Sequence, residues 1–196
     1  MWSKEIFGTD IYHLLATFIL YSMLGWLIES IYMSYCNKKL TNRGFGRGPF
    51  CPIYGFGGVI GYLVMQPLRT HVVLLYLVGA ILATSFEFVV ALLMQKLFGM
   101  VWWDYNDKPL NYKGIICLES TIAWGFYACI IVLFLNHRLV GLIDRYDAQF
   151  GELACTVIMV LETIDYLIQL SKVIDLGTGK EKLLEKYCQI RGRFNQ

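Results

Sequence analysis

Long apolar runs constrain the fold of this 196-residue chain more than any other feature. A helix needs about 20 mostly apolar residues to cross the hydrocarbon core of a bilayer. Five stretches come close to that length or exceed it, and they cover about residues 12–35, 50–68, 72–95, 115–135 and 153–171. None alternates apolar and polar residues as a barrel strand does, so helices are the structures that satisfy every backbone group in lipid. The sequence therefore predicts an all-α, polytopic membrane helix bundle with about five transmembrane helices.

Composition supports a membrane location. Apolar residues make up 57% of the chain and charged residues 16%, whereas a typical soluble domain has about 25% charged residues. A soluble domain of this size buries only about 70% of its chain surface, so it could not hide this much apolar surface from water. A net charge of +2 gives no indication of nucleic-acid binding. We predict a single transmembrane domain over residues 1–196, with membrane lipids around it and a cytoplasmic tail at residues 172–196.

The second stretch differs from the others in its glycine and proline content. Residues 50–68 read FCPIYGFGGVIGYLVMQPL. Pro52 lacks a backbone donor, and the glycines reduce the preference for helix. We therefore expect the second helix to be short or partly unwound.

The basic residues are distributed unevenly along the chain. Of the 17 Lys and Arg residues, 13 follow the first, third or fifth stretch. Because cytoplasmic segments carry the excess of Lys and Arg, this bias places the N-terminus outside and the C-terminus in the cytoplasm. The sequence thus predicts a multi-pass protein of the cell (inner) membrane.

The five stretches contain five acids and no Lys or Arg. The acids are Glu29, Glu87, Glu119, Glu162 and Asp165. An ionised side chain at mid-bilayer costs at least about 2.5–3.5 kcal/mol on insertion scales, so each acid must lie near an edge, be protonated or be neutralised. By depth, four of them on four different helices share the cytoplasmic half. We therefore expect an acidic cavity that opens to the cytoplasm.

The first cytoplasmic loop contains the nearest cations, Arg43 and Arg47, in the glycine-rich segment NRGFGRGPFC. Such a loop could dip between helices and bring Arg47 to Glu29 or Glu119. Three interpretations stay open: buried Arg–Glu pairs that fix helix packing, a cavity for a polar or cationic ligand, or protonated acids that face lipid. For the cavity, the ligand-binding candidates are Glu29, Arg43, Arg47, Glu87, Asp104 and Glu119, with Trp103, Glu162 and Asp165 as secondary candidates.

The loop between the third and fourth stretches is rich in aromatic residues and reads FGMVWWDYNDKPLNYKG. Trp102, Trp103 and Tyr105 suit the headgroup level of a membrane, which favours an interfacial aromatic belt. The alternative is a lid whose Asp104 closes over the acidic pocket.

Motifs for catalysis and cofactors fail when they are tested directly. The segment GTGK at residues 177–180 ends like a phosphate-binding loop, but Ile174 stands where that loop needs Gly, and Glu181 replaces the Ser or Thr. The three His residues have no metal-ligand spacing, and no internal repeat is visible. The sequence therefore predicts no cofactor and no metal, and favours a protein that is not an enzyme.

Two segments, residues 25–58 and 102–125, resemble the small multi-pass family of ABC-transporter permeases of CmpB type. They contain GWLIESIYMSYCNKKLTNRGFGRGPFCPIYGFGG and WWDYNDKPLNYKGIICLESTIAWG. The resemblance implies a permease-like protein, and since the chain has no nucleotide motif, a separate ATPase subunit. It covers five of the residues named above, namely Glu29, Arg43, Arg47, Asp104 and Glu119.

The leading hypothesis is a permease-like protein whose acids bind a polar or cationic ligand, as a homo-oligomer or with an ATPase subunit. A second hypothesis is a membrane enzyme or binding protein for an anionic lipid headgroup or phosphorylated substrate. In that case Arg43 and Arg47 would hold the phosphate, and Glu29 or Glu119 would act as general base. A third is a structural or regulatory membrane subunit.

Overall fold

The fold is formed by helices that are joined by ordered loops. The computed structural model describes residues 2, 5–6, 8–98 and 103–175, and the structural statements below refer to these residues. The helices are α1 (Ile11–Asn37), α2 (Pro52–Met65), α3 (Val72–Phe98), α4 (Leu118–Ile130), α5 (Asn136–Ile143) and α6 (Ala148–Asp175). Two short antiparallel pairs join β1 (Glu5–Ile6) to β2 (Thr9–Asp10), and β3 (Asn111–Tyr112) to β4 (Ile116–Cys117). The prediction of an all-α chain is confirmed.

Four helices in the described part of the chain are long and apolar enough to cross a membrane. They are Ile11–Asn37, Val72–Lys96, Leu118–Ile143 and Ala148–Ser171. In the third of these, a π-helical segment (Ile131–Leu135) joins α4 to α5. Through α5 the helix continues to Ile143, beyond the predicted end at residue 135.

The second predicted stretch forms a helix that is shorter than these four. Helix α2 has 14 residues, and a 3₁₀ turn (Gln66–Leu68) of 3 residues follows it. Together they are about 27 Å long, just under the core thickness of about 30 Å. The expected shortness of the second helix is confirmed.

Local sequence explains where the helices begin and end. Asp10 caps α1 by accepting the backbone N–H of His13 at 2.8 Å, and α1 ends where Lys38 takes a left-handed conformation with φ 49°. Pro52 opens α2 at the position where a missing N–H does no harm. Helix α4 begins with a reciprocal cap between Cys117 and Ser120.

The chain forms two compact units, one of residues 1–55 with 143–196 and one of residues 56–142. The core of the first unit contains Tyr12, Ala16, Ile19, Phe50, Ile143 and Cys155. The core of the second contains Met65, Leu75, Ala128 and Val132. In the first unit α1 packs on α6, and in the second α3 packs on α4. That residues 1–196 form a single transmembrane domain stays a prediction, and most of the predicted tail, residues 176–196, lies outside the described residues.

In the first unit, His13 links the start of α1 to the turn after α5. Its Nδ1 lies 2.8 Å from Asp10 Oδ2, and its Nε2 lies 2.9 Å from Asp144 Oδ1. An imidazole donates to two carboxylates at once only when both nitrogens carry protons. Burial opposes ionisation of Asp10, but the hydrogen bonds from His13 outweigh it and hold the pKa of the Asp10 carboxyl below its usual value.

This arrangement predicts an acid-dependent loss of stability. The folded state favours the Asp10 carboxylate, so ionised Asp10 adds to the free energy of unfolding. This contribution is fully present above the pKa of Asp10 in the unfolded chain, about 4, and is lost as the pH falls through its lower pKa in the folded protein. Asp10→Ala is expected to lower the free energy of unfolding by about 1 kcal/mol at neutral pH. Unfolding in detergent at a series of pH values should show the difference from wild type shrinking below about pH 4.

The matched control is Asp10→Asn, which keeps a capping oxygen and loses the charge. It should retain most of the neutral-pH stability and lose only the pH-dependent part. A difference between wild type and Asp10→Ala that is equal at neutral and at low pH would contradict this account.

Candidate functional site

Glu29, Arg43 and Tyr54, here called the Glu29 cluster, lie together in the first unit. Arg43 Nε and Nη2 each lie 2.7 Å from Glu29 Oε1. The Tyr54 hydroxyl donates to Glu29 Oε2 at 2.7 Å. The Arg43 side chain is 12% exposed and the Glu29 side chain 23%. Both carboxylate oxygens are therefore occupied, and the charge of Glu29 is balanced by Arg43.

The loop that carries Arg43, loop A (residues 38–51), folds back along α1. The backbone N–H of Cys51 donates to the carbonyl oxygen of Ser22 at 3.1 Å. Ser22 lies about 22 Å before the end of α1, at about 1.5 Å per residue. Helix α2 thus begins near the middle of α1. Irregular backbone at such a depth in a membrane is tolerated only inside protein or beside a water-filled cavity.

Loop A also contacts the two acids of α6. The backbone N–H groups of Arg47 and Gly48 donate to Asp165 Oδ2 at 2.5 and 3.4 Å. A Cβ added to Gly48 would overlap the carboxylate of Glu162, so a larger residue there would require the end of the Glu162 side chain to move. Glu162 Oε2 is buried and accepts no hydrogen bond from the described residues.

These contacts show that the two arginines of loop A have different roles. Arg43 is the arginine whose side chain contacts Glu29, and its backbone N–H also donates to Ser30 Oγ at 3.2 Å. Arg47 is exposed, and its backbone is held by Asp165. At Glu29 the structure therefore shows Arg43 and not the suggested Arg47, whose backbone is held by Asp165. A contact of Arg47 with Glu119 stays a prediction.

Glu87, Tyr105 and Trp124, here called the Glu87 site, lie together in the second unit. Tyr105 donates its hydroxyl to Glu87 Oε1 at 3.0 Å, and Trp124 donates its indole N–H to Glu87 Oε2 at 2.9 Å. Glu87 is only 6% exposed. Among the described residues it forms no ion pair. The Ser120 hydroxyl is a third neutral group beside the carboxylate. The site thus holds a buried carboxylate among neutral donors.

Tyr105 belongs to loop B (residues 103–117), which folds back along α3. Glu87 lies about 16 Å before the end of α3 at about 1.5 Å per residue, yet Tyr105 reaches it. The ring of Tyr112 lies 6.0 Å from that of Phe88. Asp104, the residue of the suggested lid, instead accepts the backbone N–H of Asn106 at 3.0 Å in a local turn, and is exposed. Tyr105 is therefore the loop residue that covers the carboxylate.

The other candidates of the second unit stand apart from Glu87. Glu119 lies in the first turn of α4 and pairs with Lys108 Nζ at 2.9 Å, with both side chains well exposed. Trp103 donates its indole N–H to the carbonyl oxygen of Ile115 at 2.7 Å, which ties loop B together. Trp102 lies outside the described residues. In the described part of the chain, no group of His, Cys, Asp or Glu could hold a metal ion.

Sequence reasoning missed three residues that contact the predicted acids. Tyr54 and Trp124 were not considered, and Tyr105 was treated only as part of an aromatic belt. Tyr54 and Trp124 each precede a glycine, in Tyr54–Gly55 and in Trp124–Gly125. That pattern is a weak signal, since it does not reveal which acid the aromatic residue meets in space.

Comparison with known protein families gives a match over most of the chain. The family model described as "Putative ABC-transporter type IV" matches residues 16–170. No curated protein and no solved structure matched the chain. The matched range includes the Glu29 cluster, the Glu87 site and most of each of the four described helices that could cross a membrane. The resemblance seen in the sequence is confirmed, and the chain belongs to the putative ABC-transporter type IV family.

Proposed function

We propose that this protein is a permease-like membrane component that binds a polar or cationic ligand at the Glu87 site. The family and the four long apolar helices make it a transporter-like membrane protein. We also propose that the chain forms a single transmembrane domain in the inner membrane, with the N-terminus outside and the C-terminus in the cytoplasm. The bias of basic residues supports this orientation.

The observation that carries the proposal is that Glu87 has no cationic partner among the residues that the structure describes. A buried carboxylate without a cation is costly in a helix that spans a membrane. Tyr105 and Trp124 stabilise the carboxylate by hydrogen bonds but supply no charge. A proton or a cationic ligand is therefore the natural compensating group. Glu119 needs none, since Lys108 neutralises it at the surface.

Two features of the surroundings fit a cationic ligand. The Glu87 carboxylate is contacted by two aromatic side chains, and the Trp124 ring meets the Tyr127 ring edge to face at 5.7 Å. Aromatic faces attract cations, most strongly where water is excluded. The irregular backbone of loop B also runs at the depth of Glu87, as it would beside a water-filled cavity.

The phosphate-binding alternative has less support from the contacts. It needs an arginine fork that is available to an anion, but the Arg43 guanidinium is already engaged by Glu29. Arg47 is exposed and is held by Asp165 only through its backbone. Glu29 already accepts hydrogen bonds from Arg43 and Tyr54, and no contact among the described residues favours it as a general base. For energy coupling we propose a separate ATPase subunit, as the family description suggests.

The proposal predicts that Glu87→Gln weakens cation binding strongly. The full chain in nanodiscs would be titrated with ethylamine and ethylguanidine, and binding read from the rise in unfolding temperature. Ethylurea serves as a neutral probe and glycerol 3-phosphate as an anionic probe. We expect the two cations to stabilise the wild type and Glu87→Gln to weaken their binding by about tenfold or more.

The matched control is Glu119→Gln, which removes an acid from the same unit. It should change cation binding by less than about twofold, because Glu119 is exposed and already paired. If neither cation stabilises the wild type, or if Glu87→Gln binds them as well as the wild type does, the proposal is wrong. Stabilisation by glycerol 3-phosphate alone would support the phosphate-binding alternative instead.

A further inference from the structure

The Glu29 cluster and the Glu87 site have the same hydrogen-bond pattern. In each, a glutamate of a long helix has Oε1 contacted by a residue of the loop that follows that helix. These residues are Arg43 in the first unit and Tyr105 in the second. In each, Oε2 accepts a hydrogen bond from an aromatic residue of the next helix, which is Tyr54 in one case and Trp124 in the other.

Short sequence motifs accompany the shared pattern. Loop A ends in Arg47–Gly48–Pro49–Phe50–Cys51, and loop B ends in Lys113–Gly114–Ile115–Ile116–Cys117. Both have a basic residue, a glycine, two further residues and a cysteine, and the next helix starts directly after that cysteine. The aromatic donor is then followed by Gly–Phe in both helices, as Tyr54–Gly55–Phe56 and Trp124–Gly125–Phe126.

The order of the parts along the chain is also the same. The loop residue follows its glutamate by 14 positions in the first unit and by 18 in the second. The aromatic donor follows its glutamate by 25 and 37 positions. Helices α1 and α3, which carry the glutamates, both have 27 residues. The same order therefore occurs twice along the chain. A helix with the glutamate is followed by a loop that folds back along it, and then by a helix with the aromatic donor.

The two sites differ in charge. The loop residue at Glu29 is a guanidinium cation, whereas the loop residue at Glu87 is a neutral phenol. From this difference we propose that the two sites are variants of one arrangement, and that the cation of a ligand takes at Glu87 the role that Arg43 has at Glu29. The inference rests on the proposed function and names its ligand class, a compound with a guanidinium or protonated amino group.

The chemistry of the carboxylate permits this. The two oxygens of a carboxylate offer about four acceptor directions in total, so the contacts with Tyr105, Trp124 and Ser120 leave acceptor capacity on Glu87. A guanidinium or ammonium group can use that capacity while it neutralises the charge. At Glu29, Arg43 supplies two N–H donors and the positive charge from within the chain, so no external cation is needed there.

The decisive experiment moves the internal cation to the second site. Tyr105→Arg places a guanidinium on the loop residue that contacts Glu87 Oε1. In nanodiscs, this variant should bind ethylguanidine and ethylamine at least about tenfold more weakly than the wild type. Without probe, its unfolding temperature should equal or exceed that of the wild type, because the buried carboxylate now has a partner.

The matched control is Tyr112→Arg, the same change on the same loop at an exposed tyrosine. It should bind both probes within about twofold of the wild type. If Tyr105→Arg binds ethylguanidine as the wild type does, or if Tyr112→Arg weakens binding equally, the inference is overturned.

A second measurement does not depend on ligand binding at Glu87. Arg43→Ala in a Glu87→Gln background removes the internal cation, and ethylguanidine carries the atoms that the substitution deletes. Ethylguanidine should raise the unfolding temperature of this double variant by about 2 °C or more, and neutral ethylurea should not. Equal effects of the two probes would overturn the equivalence of the sites. Rescue here together with unchanged cation binding in the single variant Glu87→Gln would leave the equivalence standing and refute the proposed function.

Discussion

Replacing Arg43 by methionine is expected to lower the free energy of unfolding by about 3 kcal/mol, the lower end of the range for breaking a buried ion pair. Methionine fills much of the volume but leaves Glu29 without its cation. The Glu29 side chain is only 23% exposed, so water cannot fully replace the guanidinium. Tyr54 of α2 would still donate to the carboxylate, which stabilises the charge but does not neutralise it.

Lys108→Met is the matched control for this prediction. It removes the cation of the Lys108–Glu119 pair, whose side chains are 44% and 64% exposed. Such pairs contribute about 0–1 kcal/mol, so this variant should unfold almost as the wild type does. Equilibrium unfolding with sodium dodecyl sulfate, followed by tryptophan fluorescence, measures both variants.

Adding Glu29→Gln to Arg43→Met tests the cause of the loss. Because the double variant has no unpaired charge, it should be more stable than Arg43→Met alone. An Arg43→Met variant that loses no more stability than Lys108→Met would show that the Glu29 cluster is not a buried ion pair in energetic terms.

The helices could be predicted because their cause is local. A run of about 20 apolar residues must form a helix in lipid, and the glycines and prolines of residues 50–68 already indicated a short α2. The start of the fourth helix was placed at residue 115 instead of Leu118. Hydropathy does not detect the cap of Cys117 with Ser120 or the pairing of β4 with β3, so it could not locate that boundary.

The acids could be predicted for the same reason, but their partners could not. Charge in an apolar stretch is visible in sequence, so Glu29 and Glu87 were identified. Their partners depend on how far each loop folds back along its helix. Arg43 and Arg47 look alike in sequence, and only the contacts of Ser30 and Asp165 with the loop backbone distinguish them.

The shared arrangement of the two sites was invisible for a related reason. An internal repeat is detected when similar residues recur at a constant spacing. Here the loops differ in length, and the equivalent positions hold Arg43 and Tyr105, or Tyr54 and Trp124. What recurs is the hydrogen-bond pattern around a carboxylate, and different side chains can form it.

Replacing Gly25 by alanine is expected to lower the free energy of unfolding by about 2–4 kcal/mol. A Cβ on Gly25 would overlap Cβ and Cγ of Tyr54, where the ring joins the backbone. The base of a side chain cannot move away without its helix, so α1 and the start of α2 must separate. Tyr54 would then also lose its hydrogen bond to Glu29.

Gly141→Ala provides the opposite expectation. Gly141 lies in α5 and has no atom within 4 Å of an added Cβ, so alanine should be neutral or stabilise the helix by up to about 1 kcal/mol. Replacing Tyr54 by glycine should remove most of the cost of Gly25→Ala, since both Cβ and Cγ of Tyr54 are then absent. If Gly25→Ala costs as much in the Tyr54→Gly background as in the wild type, the close approach of Gly25 and Tyr54 does not hold α1 and the start of α2 together. The position of the Glu29 cluster must then depend on loop A alone.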